Sequence, residues 1–408
     1  MVKQCVILLG GLGTRLGALT ADTPKPLLPV GDIPFVEVLI AEARRRGFTH
    51  FLLLAGHRAE VVRDYIDSTD VRGRFDATVE IAVETTPLGT GGALVNALPL
   101  LDDTFLLLNG DTWFDFNWLD LVATTLDHGA DFGMALRLVE QPDRYETIVL
   151  EGARVRAVRP RAAGLARALI NGGVYVLRRA CLERLAMPSS LEADLLPALV
   201  AEGRMAGVSY DGFFIDIGIP ETYAAAQTSV PAQRCRPAVF LDRDGVLNVD
   251  TGYVHAPEDF TWIPGAKAAV KRFNDLGYYT FVVTNQAGVA RGYYDEAQVG
   301  RLHAWMQEEL RAVGASIDDW RYCPYHPEGT VERYRQVHDW RKPAPGMLLD
   351  LLAHWPVDRA HALLIGDKGS DLEAATGAGV PGHLFTGGNL LTFVEGLHPG
   401  AAHPAPNR

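Results

Sequence analysis

Two short apolar segments run directly into loops whose composition suits phosphate, and this pair of features constrains the fold most strongly. The first reads Val6-Ile-Leu-Leu-Gly-Gly-Leu-Gly-Thr-Arg15, and the second reads Val239-Phe-Leu-Asp-Arg-Asp-Gly-Val246. The first loop is glycine-rich, which suits a nucleoside triphosphate. The second carries two acids separated by one residue, which suits attack on a phosphate ester. Two phosphate chemistries on one chain indicate two consecutive steps on one substrate.

Length and composition indicate a globular chain of two domains. The chain has 408 residues, of which 48% are hydrophobic and 22% charged, so it can bury a sizeable core. A net charge of -12 argues against nucleic acid as a partner, although local cations can still attract small anions. The four cysteines lack a disulfide-framework spacing, and no segment resembles a signal peptide or a membrane span. We therefore expect a cytoplasmic protein without membrane partners, and a homo-oligomer is left open.

Both halves alternate short apolar strands with amphipathic helices, a pattern typical of parallel α/β sheets. We predict domains over residues 1–230 and 236–398. The stretch Ala224–Pro237 is interpreted as a helix end plus a linker, and the tail His398–Arg408 as disordered. Predicted strands are Cys5–Leu9, Phe51–Leu54, Phe105–Leu108, Val174–Leu177, Ala238–Leu241, Thr280–Thr284 and Ala362–Ile365. Predicted helices are Phe35–Arg46, Ala59–Ile66, Leu191–Glu202, Ala266–Leu276 and Glu296–Val313.

The first loop has the chemistry of a polyphosphate site. Gly10, Gly11 and Gly13 let the backbone approach phosphate with its amides free to donate. Arg15 and Lys25 supply the positive charge that a polyphosphate needs. A glycine-rich turn alone is equally compatible with a tight connection between strand and helix, so the residues that follow decide the interpretation.

Those residues resemble the sugar-1-phosphate nucleotidylyltransferases. The matching segments follow the family's order over residues 1–225: GGLGTRLGALTADTPKPLLPVGDIP from Gly10, ETTPLGTGGA from Glu84, NGD from Asn109, INGGVY from Ile170, SLEADLLP from Ser190 and FIDIGIPETY from Phe214. The resemblance implies a Rossmann-like domain in which a sugar-phosphate oxygen attacks the α-phosphorus of a nucleoside triphosphate and expels pyrophosphate. Such transfer relies mainly on positioning and charge neutralisation.

The resemblance also implies roles for single residues. It assigns Mg²⁺ to Asp111 and Asp216, the leaving phosphates to Arg15, and the α-phosphate or the sugar phosphate to Lys25. Oxygen-only ligands suit Mg²⁺. Sugar hydroxyls are assigned to Asn171 and Glu192, with Gly172 allowing close approach of the ring. The nucleotide is assigned to Leu9, Gly10, Gly11, Gly13, Thr14, Glu84, Pro87, Gly89, Thr90, Asn109 and Gly110.

Glu84 lies where this family reads the base. A carboxylate can accept hydrogen bonds from both N1–H and N2–H₂ of guanine, whereas uracil offers it only N3–H. This difference favours GTP, but relatives also use acids here for other bases.

The second loop resembles the first motif of the haloacid dehalogenase (HAD) phosphatases. Residues i and i+2 after a strand can point into one crevice, so Asp242 can attack phosphorus while Asp244 protonates the leaving alcohol. Further along, VVTNQ carries Thr284 and Asn285 for the phosphoryl oxygens, RKP carries Lys342, and LIGDKGSD carries Asp367. The resemblance implies a HAD-like Rossmannoid domain with Mg²⁺ held by Asp242, Asp244 and Asp367.

The likeness extends to one group of HAD enzymes, the D,D-heptose 1,7-bisphosphate phosphatases. It includes DRDGVLNVDTGYV from Asp242, TNQAGVARG from Thr284 and RQVHDWRKPAPGM from Arg335. Histidinol-phosphate phosphatases share much of this pattern. We expect Arg291 and Arg341 to hold the substrate's other phosphate.

The chain departs from these phosphatases at their structural zinc loop. Relatives hold Zn²⁺ through a Cys-x-His and a Cys-x-Cys pair, whereas this sequence retains Cys323 and has Tyr325, His338 and Trp340 at the other positions. With His326 nearby, at most three ligands are available, and a closed zinc site needs four. We therefore expect no zinc here, and packing around Trp340 and Tyr325 instead.

Together the resemblances imply a bifunctional enzyme of nucleotide-activated heptose synthesis. The second domain would remove the 7-phosphate of heptose 1,7-bisphosphate, and the first would transfer a guanylyl group to the remaining α-anomeric 1-phosphate. The alternative is a mannose-1-phosphate guanylyltransferase or a uridylyltransferase joined to a histidinol-phosphate-type phosphatase. A sensor that binds without turnover is disfavoured because the chain retains the acids Asp111, Asp216, Asp242, Asp244 and Asp367.

Overall fold

The computed structural model describes residues 2–11, 13–398 and 400. It divides into two compact units between Gln233 and Arg234. Most of the tail for which disorder is predicted, His398–Arg408, lies outside the described residues, as does Leu12 of the first loop. Within the described part, no helix combines the length and apolarity that a membrane crossing requires.

The N-terminal unit is built on a nine-stranded mixed sheet with the order β5-β4-β1-β6-β11-β8-β12-β10-β9. Its strands are β1 (Gln4–Leu8), β4 (His50–Ala55), β5 (Thr78–Val83), β6 (Thr104–Asn109), β8 (Phe132–Glu140), β9 (Thr147–Glu151), β10 (Arg154–Arg159), β11 (Arg167–Arg178) and β12 (Met205–Ser209). Two small ribbons accompany it, formed by β2 (Pro29–Val30) with β3 (Ile33–Pro34) and by β7 (Thr112–Phe114) with β13 (Phe214–Asp216).

Helices cover both faces of this sheet, since separate apolar clusters form on its two sides. Alternate residues of β1 show the division, because Cys5 and Ile7 belong to one cluster and Val6 to the other. The helices are α1 (Phe35–Arg45), α2 (Ala59–Ser68), α3 (Val71–Phe75), α4 (Gly89–Asn96), α5 (Trp118–Asp127), α6 (Leu196–Ala201) and α7 (Pro220–Arg234).

The structure corrects one expectation for this unit and refines two. The sheet is mixed and not all parallel, because β11 runs antiparallel to both β6 and β8, whereas β5, β4, β1 and β6 pair in parallel and so do β8 and β12. The helix predicted over Leu191–Glu202 is present as a π-helical turn, Leu191–Leu195, followed by α6. The stretch predicted as a helix end plus a linker, Ala224–Pro237, is helix as far as Arg234, since α7 continues through Pro231.

Packing explains why α7 tolerates an internal proline. Proline removes one helical hydrogen bond, yet Ala226 and Val230 are buried in the core of the unit. The buried Gln233 also donates to an Asp115 oxygen at 2.6 Å. These tertiary contacts offset the missing bond, and a local reading of two prolines could not anticipate them.

The C-terminal unit is a five-stranded parallel sheet with the order β16-β15-β14-β17-β18, as predicted for an α/β domain. Its strands are β14 (Ala238–Leu241), β15 (Tyr279–Asn285), β16 (Asp319–Cys323), β17 (Leu363–Gly366) and β18 (Gly382–Leu384). Its helices are α8 (Ala266–Asp275), α9 (Ala287–Ala290), α10 (Glu296–Arg311), α11 (Gly346–His354), α12 (Gly369–Ala378) and α13 (Leu390–Gly396). The carboxyl ends of β14, β15 and β17 meet at one edge, where a ligand site is expected.

Candidate active sites

A cleft of about 230 Å³ opens beside the glycine-rich loop of the N-terminal unit. Six residues predicted to bind nucleotide line it, namely Gly10, Gly11, Glu84, Pro87, Gly89 and Thr90. Glu84 is fixed by the Leu88 amide, which donates to its Oε2 at 3.2 Å. A Cβ at Gly10 or Gly56 would lie 3.4 or 2.4 Å from the Glu84 Oε1. The backbone on both sides thus leaves just enough space for this carboxylate.

Other predicted nucleotide residues support the cleft without lining it. Leu9 is buried, and its amide donates to the Leu54 carbonyl at 2.9 Å. Gly110 packs against β1, because a Cβ there would lie 2.4 Å from the Leu8 carbonyl oxygen. Gly13 adopts φ 60° and Thr14 is exposed at the start of the following 3₁₀ turn.

The predicted acid pair converges on Lys25. The Lys25 Nζ lies 2.5 Å from Asp111 Oδ2. Burial and the charge of Asp111 raise the pKa of Asp216, while Lys25 and Arg15 oppose that rise. The two carboxylates therefore share one electrostatic environment with two cations. A pair of carboxylates with oxygen-only donors fits a divalent ion.

The predicted sugar residues lie close to a buried tyrosine. Asn171 donates to the Tyr175 hydroxyl at 2.7 Å and accepts from the Gly173 amide at 2.9 Å. Burial and then the charge of Glu192 raise the pKa of Tyr175, and Asn109 also contacts it. Glu192 accepts from Thr90 at 2.9 Å and Ser190 at 2.8 Å. Glu192 thus links the sugar side to the nucleotide cleft.

Gly172 has a packing role in the structure, and its predicted allowance for the sugar ring stays a prediction. A Cβ at this position would lie 2.5 Å from the Phe114 ring and 3.0 Å from the Ala135 carbonyl oxygen. The space that the glycine leaves is therefore filled by protein. Tyr175 contacts the predicted sugar residue Asn171, although no role was predicted for it from the sequence.

In the C-terminal unit, three carboxylates meet around Lys342. Asp242, Asp367 and Asp371 each place an oxygen within 4.8 Å of the others. Lys342 Nζ lies 2.8 Å from Asp242, 2.7 Å from Asp371 and 2.9 Å from the Val283 carbonyl oxygen. Only 2% of the Lys342 side chain is exposed. It therefore offsets part of a dense negative charge.

This crowding perturbs the titration of both partners. Burial, reinforced by the charge of Asp371 and opposed by Lys342, raises the pKa of Asp242 to about 7. Burial acts against the Lys342 ammonium, but the charges of Asp242 and Asp371 outweigh it and raise its pKa. A second cation is present, because Lys368 Nζ lies 3.6 Å from Asp367 and 3.0 Å from Asp250. Two lysines beside four acids still leave excess negative charge, which is the charge pattern of a cation site.

A buried carboxylate oxygen with no hydrogen-bond partner in the described part of the chain also supports a divalent ion at these acids. The Asp367 Oδ1 is buried and has no hydrogen-bond partner among the described residues. Gly245, at φ 93°, allows the chain to turn next to Asp367. No side chain would fit at this position, because a Cβ there would lie 2.2 Å from Asp367 Oδ2. Of the predicted metal residues, Asp242 and Asp367 come together with Asp371. The Asp244 carboxylate instead bonds to Arg243, Asn248 and Gln286.

A cleft of about 440 Å³ stands over these acids, and Asp242, Asp244, Thr284, Asn285, Arg341 and Lys342 all line it. Asn285 is engaged by the backbone of Lys342, donating to its carbonyl at 3.0 Å and accepting from its amide at 3.1 Å. Asn285 thus positions the lysine. Arg291 does not line the cleft, but its charge lies close enough to Arg341 to help burial lower the pKa of that guanidinium.

The loop that corresponds to the zinc site is packed by aromatic side chains, as expected for Tyr325 and Trp340. Tyr325 stacks on His338 at 4.3 Å between ring centroids, and Trp340 packs against the ring of His338 at 6.2 Å. The Nδ1 atoms of His326 and His338 accept from nearby backbone amides at 3.0 Å. Within the described residues, Asp242, Asp367 and Asp371 form the one cluster of three potential metal ligands.

Asp371 is the main functional residue that the sequence analysis did not assign. It begins the buried face of α12, and its carboxylate receives the Lys368 amide at 3.0 Å. A signal was present in the sequence, because Asp371 follows Asp367 by four residues across a turn from strand to helix. Lys368 and Asp250, paired at 3.0 Å, also line the cleft without having been predicted.

Comparison with known proteins agrees with two enzyme classes in one chain. The nucleotidyl transferase family model matches residues 4–233, more than half of the chain, and a HAD-hydrolase-like model matches residues 339–393. The chain therefore joins a nucleotidyltransferase to a HAD-like phosphatase. It belongs to the nucleotidyl transferase family through its N-terminal unit and to the family of the relatives below through its C-terminal unit.

Those relatives are named D-glycero-beta-D-manno-heptose-1,7-bisphosphate 7-phosphatase. The protein from Rhodopseudomonas palustris is 52% identical over 160 residues, which are 39% of this chain and 89% of the relative. The protein from Escherichia coli K12 is 46% identical over 144 residues, 35% of this chain and 75% of the relative. HddC from Yersinia pseudotuberculosis, solved complexed with GMP-PN, aligns with TM-score 0.50 and 28% identity over 56% of this chain and 100% of its own.

Proposed function

We propose that the chain catalyses two consecutive steps of heptose activation. The C-terminal domain removes the C7 phosphate of D-glycero-D-manno-heptose 1,7-bisphosphate. The N-terminal domain converts the resulting heptose 1-phosphate and GTP to GDP-heptose and pyrophosphate. The observation that carries the proposal is the fusion itself, because a unit 52% identical to a 7-phosphatase is joined to a unit that resembles HddC. The four cysteines lack a disulfide-framework spacing, which fits a reducing compartment, so we propose a cytoplasmic location.

In the phosphatase step, an Asp242 oxygen attacks the phosphorus of the 7-phosphate. The bond between phosphorus and the C7 oxygen breaks, and Asp244 gives its proton to that oxygen, so that the alcohol leaves. Water then attacks the phosphorus of the aspartyl phosphate and loses its proton to Asp244. The bond between phosphorus and the Asp242 oxygen breaks, which frees the Asp242 carboxylate and releases orthophosphate. Lys342 lowers the repulsion between the attacking carboxylate and the phosphate dianion.

The 1-phosphate must not be hydrolysed in this step, so the site has to prefer the 7-phosphate. The cations near the cleft support this preference. Arg341 lines the cleft, with the charge of Arg291 nearby. Two neighbouring guanidinium groups repel each other unless an anion lies between them. We therefore assign the second phosphate of the substrate to this side, which directs the 7-phosphate to Asp242.

In the nucleotidyl transfer, an oxygen of the sugar 1-phosphate attacks the α-phosphorus of GTP. The bond to the β-phosphate breaks, and pyrophosphate leaves in line. Arg15 and Lys25 neutralise the phosphates, Glu84 accepts from the guanine edge, and Glu192 accepts from sugar hydroxyls. The GMP-PN complex of HddC supports a guanine nucleotide in this cleft.

We propose Mg²⁺ for both domains. Asp111 and Asp216 would hold it in the first, and Asp242, Asp367 and Asp371 in the second. When bound, the ion supplies positive charge to the phosphate oxygens. The relatives' names specify the β-anomer of the bisphosphate, whereas our proposal for the guanylyl branch is the α-anomer, so both anomers belong in the test.

The test is ³¹P NMR of the whole chain with heptose 1,7-bisphosphate, GTP and Mg²⁺. Orthophosphate should appear first, followed by pyrophosphate and a sugar-nucleotide diester. Asp242→Asn should abolish phosphate release but retain transfer onto supplied heptose 1-phosphate, and Asp111→Asn should do the reverse. Asp127→Asn and Glu395→Gln, exposed acids of the two units, are matched controls. Turnover of mannose 1-phosphate with GTP, or of histidinol phosphate, in preference to the heptose compounds would reject the proposal.

A further inference from the structure

Arg243 stands between the two acids of the phosphatase loop, yet nothing in the proposed chemistry uses it. Its side chain is fully buried. Its Nε and Nη2 donate to Asp244 Oδ1 at 3.1 and 2.9 Å, and its Nη2 also donates to Asp244 Oδ2 at 2.9 Å. The same Nη2 donates to the Val254 carbonyl at 2.6 Å, which also anchors the guanidinium to the backbone.

Two neutral amides complete the enclosure of the Asp244 carboxylate. Asn248 Nδ2 donates to Oδ1 at 3.0 Å, and Gln286 Nε2 donates to Oδ2 at 3.0 Å. Gln286 is itself held by the Tyr294 hydroxyl, which donates to its Oε1 at 2.7 Å. Three different parts of the chain therefore set one orientation of Asp244, whose side chain remains 17% exposed towards the cleft.

We propose that Arg243 is a positioning residue for proton transfer by Asp244, an inference that rests on the proposed phosphatase reaction. Donors surround both oxygens of Asp244, and this arrangement matches the ionised carboxylate that remains after a proton has passed to the departing C7 oxygen. Arg243 is already aligned with that carboxylate, so it stabilises the product of the transfer without reorganisation. It also holds the carboxylate in place for the water that arrives in the second half of the reaction.

This role has a consequence that a purely structural ion pair lacks. An alkyl phosphate needs a proton on its leaving oxygen, whereas p-nitrophenolate leaves without one because it is a weak base. Loss of the positioning residue should therefore slow alkyl esters much more than p-nitrophenyl phosphate. General damage to the fold would slow both substrates alike.

The experiment compares kcat and KM for heptose 1,7-bisphosphate and p-nitrophenyl phosphate in the full chain with Mg²⁺. For Arg243→Met we expect kcat on the alkyl ester to fall about 10- to 100-fold, with KM changed by less than about threefold and the ratio of alkyl to aryl rates lowered at least about tenfold. Asp244→Asn should show the same pattern more strongly, and Arg243→Lys should recover part of the ratio. Arg272→Met, an exposed arginine on α8, is the matched control and should change neither rate.

An unchanged ratio in Arg243→Met, whether both rates fall or neither does, would overturn the proposal. Should that variant not fold, Gln286→Met removes another donor to the same carboxylate and must lower the ratio as well. If the wild type hydrolyses a different alkyl phosphate in place of the heptose bisphosphate, the proposed substrate is wrong. The same ratio measured on that other ester still decides the role of Arg243.

Discussion

His303 should make the phosphatase domain lose stability in mild acid. It lies on α10 with 7% of its surface exposed, and its ring stacks on Trp320 at 4.4 Å with an interplanar angle of 20°. Burial, with a smaller contribution from the charge of Arg243, lowers its pKa from 6.5 to about 3. Its Nε2 has no hydrogen-bond partner among the described residues, so a proton there would remain uncompensated.

The sign and size of the effect follow from proton linkage. Below pH 6.5 the unfolded chain binds a proton at His303 that the folded chain refuses until about pH 3. Stability from this residue is therefore complete above the unfolded pKa and is lost as the pH falls. At 1.36 kcal/mol per pH unit, the loss between pH 7 and pH 5 is about 2 kcal/mol. Asp242 acts in the opposite direction, because its raised pKa makes the folded state bind a proton more readily.

Because these groups oppose each other, the test is a difference between proteins. Wild type and His303→Phe would be unfolded in urea at pH 7 and at pH 5. Hydrogen exchange of peptides from β14 and β15 would report the unfolding of the phosphatase domain. The variant should lose about 2 kcal/mol less than wild type over this interval. His354→Gln, whose side chain is 63% exposed on α11, is the matched control. Equal losses in wild type and His303→Phe would refute the reasoning.

Two further predictions concern charged side chains inside the sites. Lys342→Met leaves two buried carboxylates without their shared cation, so the unfolding free energy of the phosphatase domain in EDTA should fall by about 3–5 kcal/mol, and Mg²⁺ should restore part of it. The surface control Lys271→Met should cost at most about 1 kcal/mol, and an equally small loss for Lys342→Met would contradict the prediction. Glu84→Gln replaces an acceptor with a donor opposite guanine, so kcat/KM for GTP should drop about 10- to 100-fold while UTP is affected less. Glu80→Gln, exposed on β5 just before Glu84, should behave as wild type, and an equal drop for GTP and UTP would show that Glu84 does not read the base.

Elements with a local signal were predictable from the sequence. The strand β14 has the predicted bounds, Ala238–Leu241, and α10 begins at the predicted Glu296, where Asp295 and Gln298 form a capping box. In the nine-stranded sheet, the strands β5, β8, β9, β10 and β12 were missed, and in the second sheet β16 and β18. Two of them, β9 and β10, lie at the far edge of the first sheet, where the strands are short and partly exposed. The antiparallel direction of β11 could not be predicted either, because pairing between strands distant in sequence leaves no local pattern.

The sites show the same division between local and distant information. Motifs identified Asp242 and Lys342, and the structure brings them to 2.8 Å. The motif does not specify that the carboxylate of Asp244 faces Arg243 while Asp371 joins the other acids. Side chains two residues apart can point in different directions once the strand has ended. Spacing indicates which residues reach one crevice, but the surrounding donors decide which way each carboxylate turns.

The two lysines illustrate how burial separates similar ion pairs into different roles. Lys25 contacts Asp111 at 2.5 Å with 16% of the lysine side chain and 36% of the aspartate side chain exposed. Lys342 contacts its acids at similar distances with only 2% exposed. A partly solvated pair gains little net energy and separates easily, so we predict that Lys25 leaves Asp111 to an incoming cation and turns to a phosphate. A fully buried lysine cannot leave without stranding two carboxylates, so we predict that Lys342 stays in place through both halves of the phosphatase reaction.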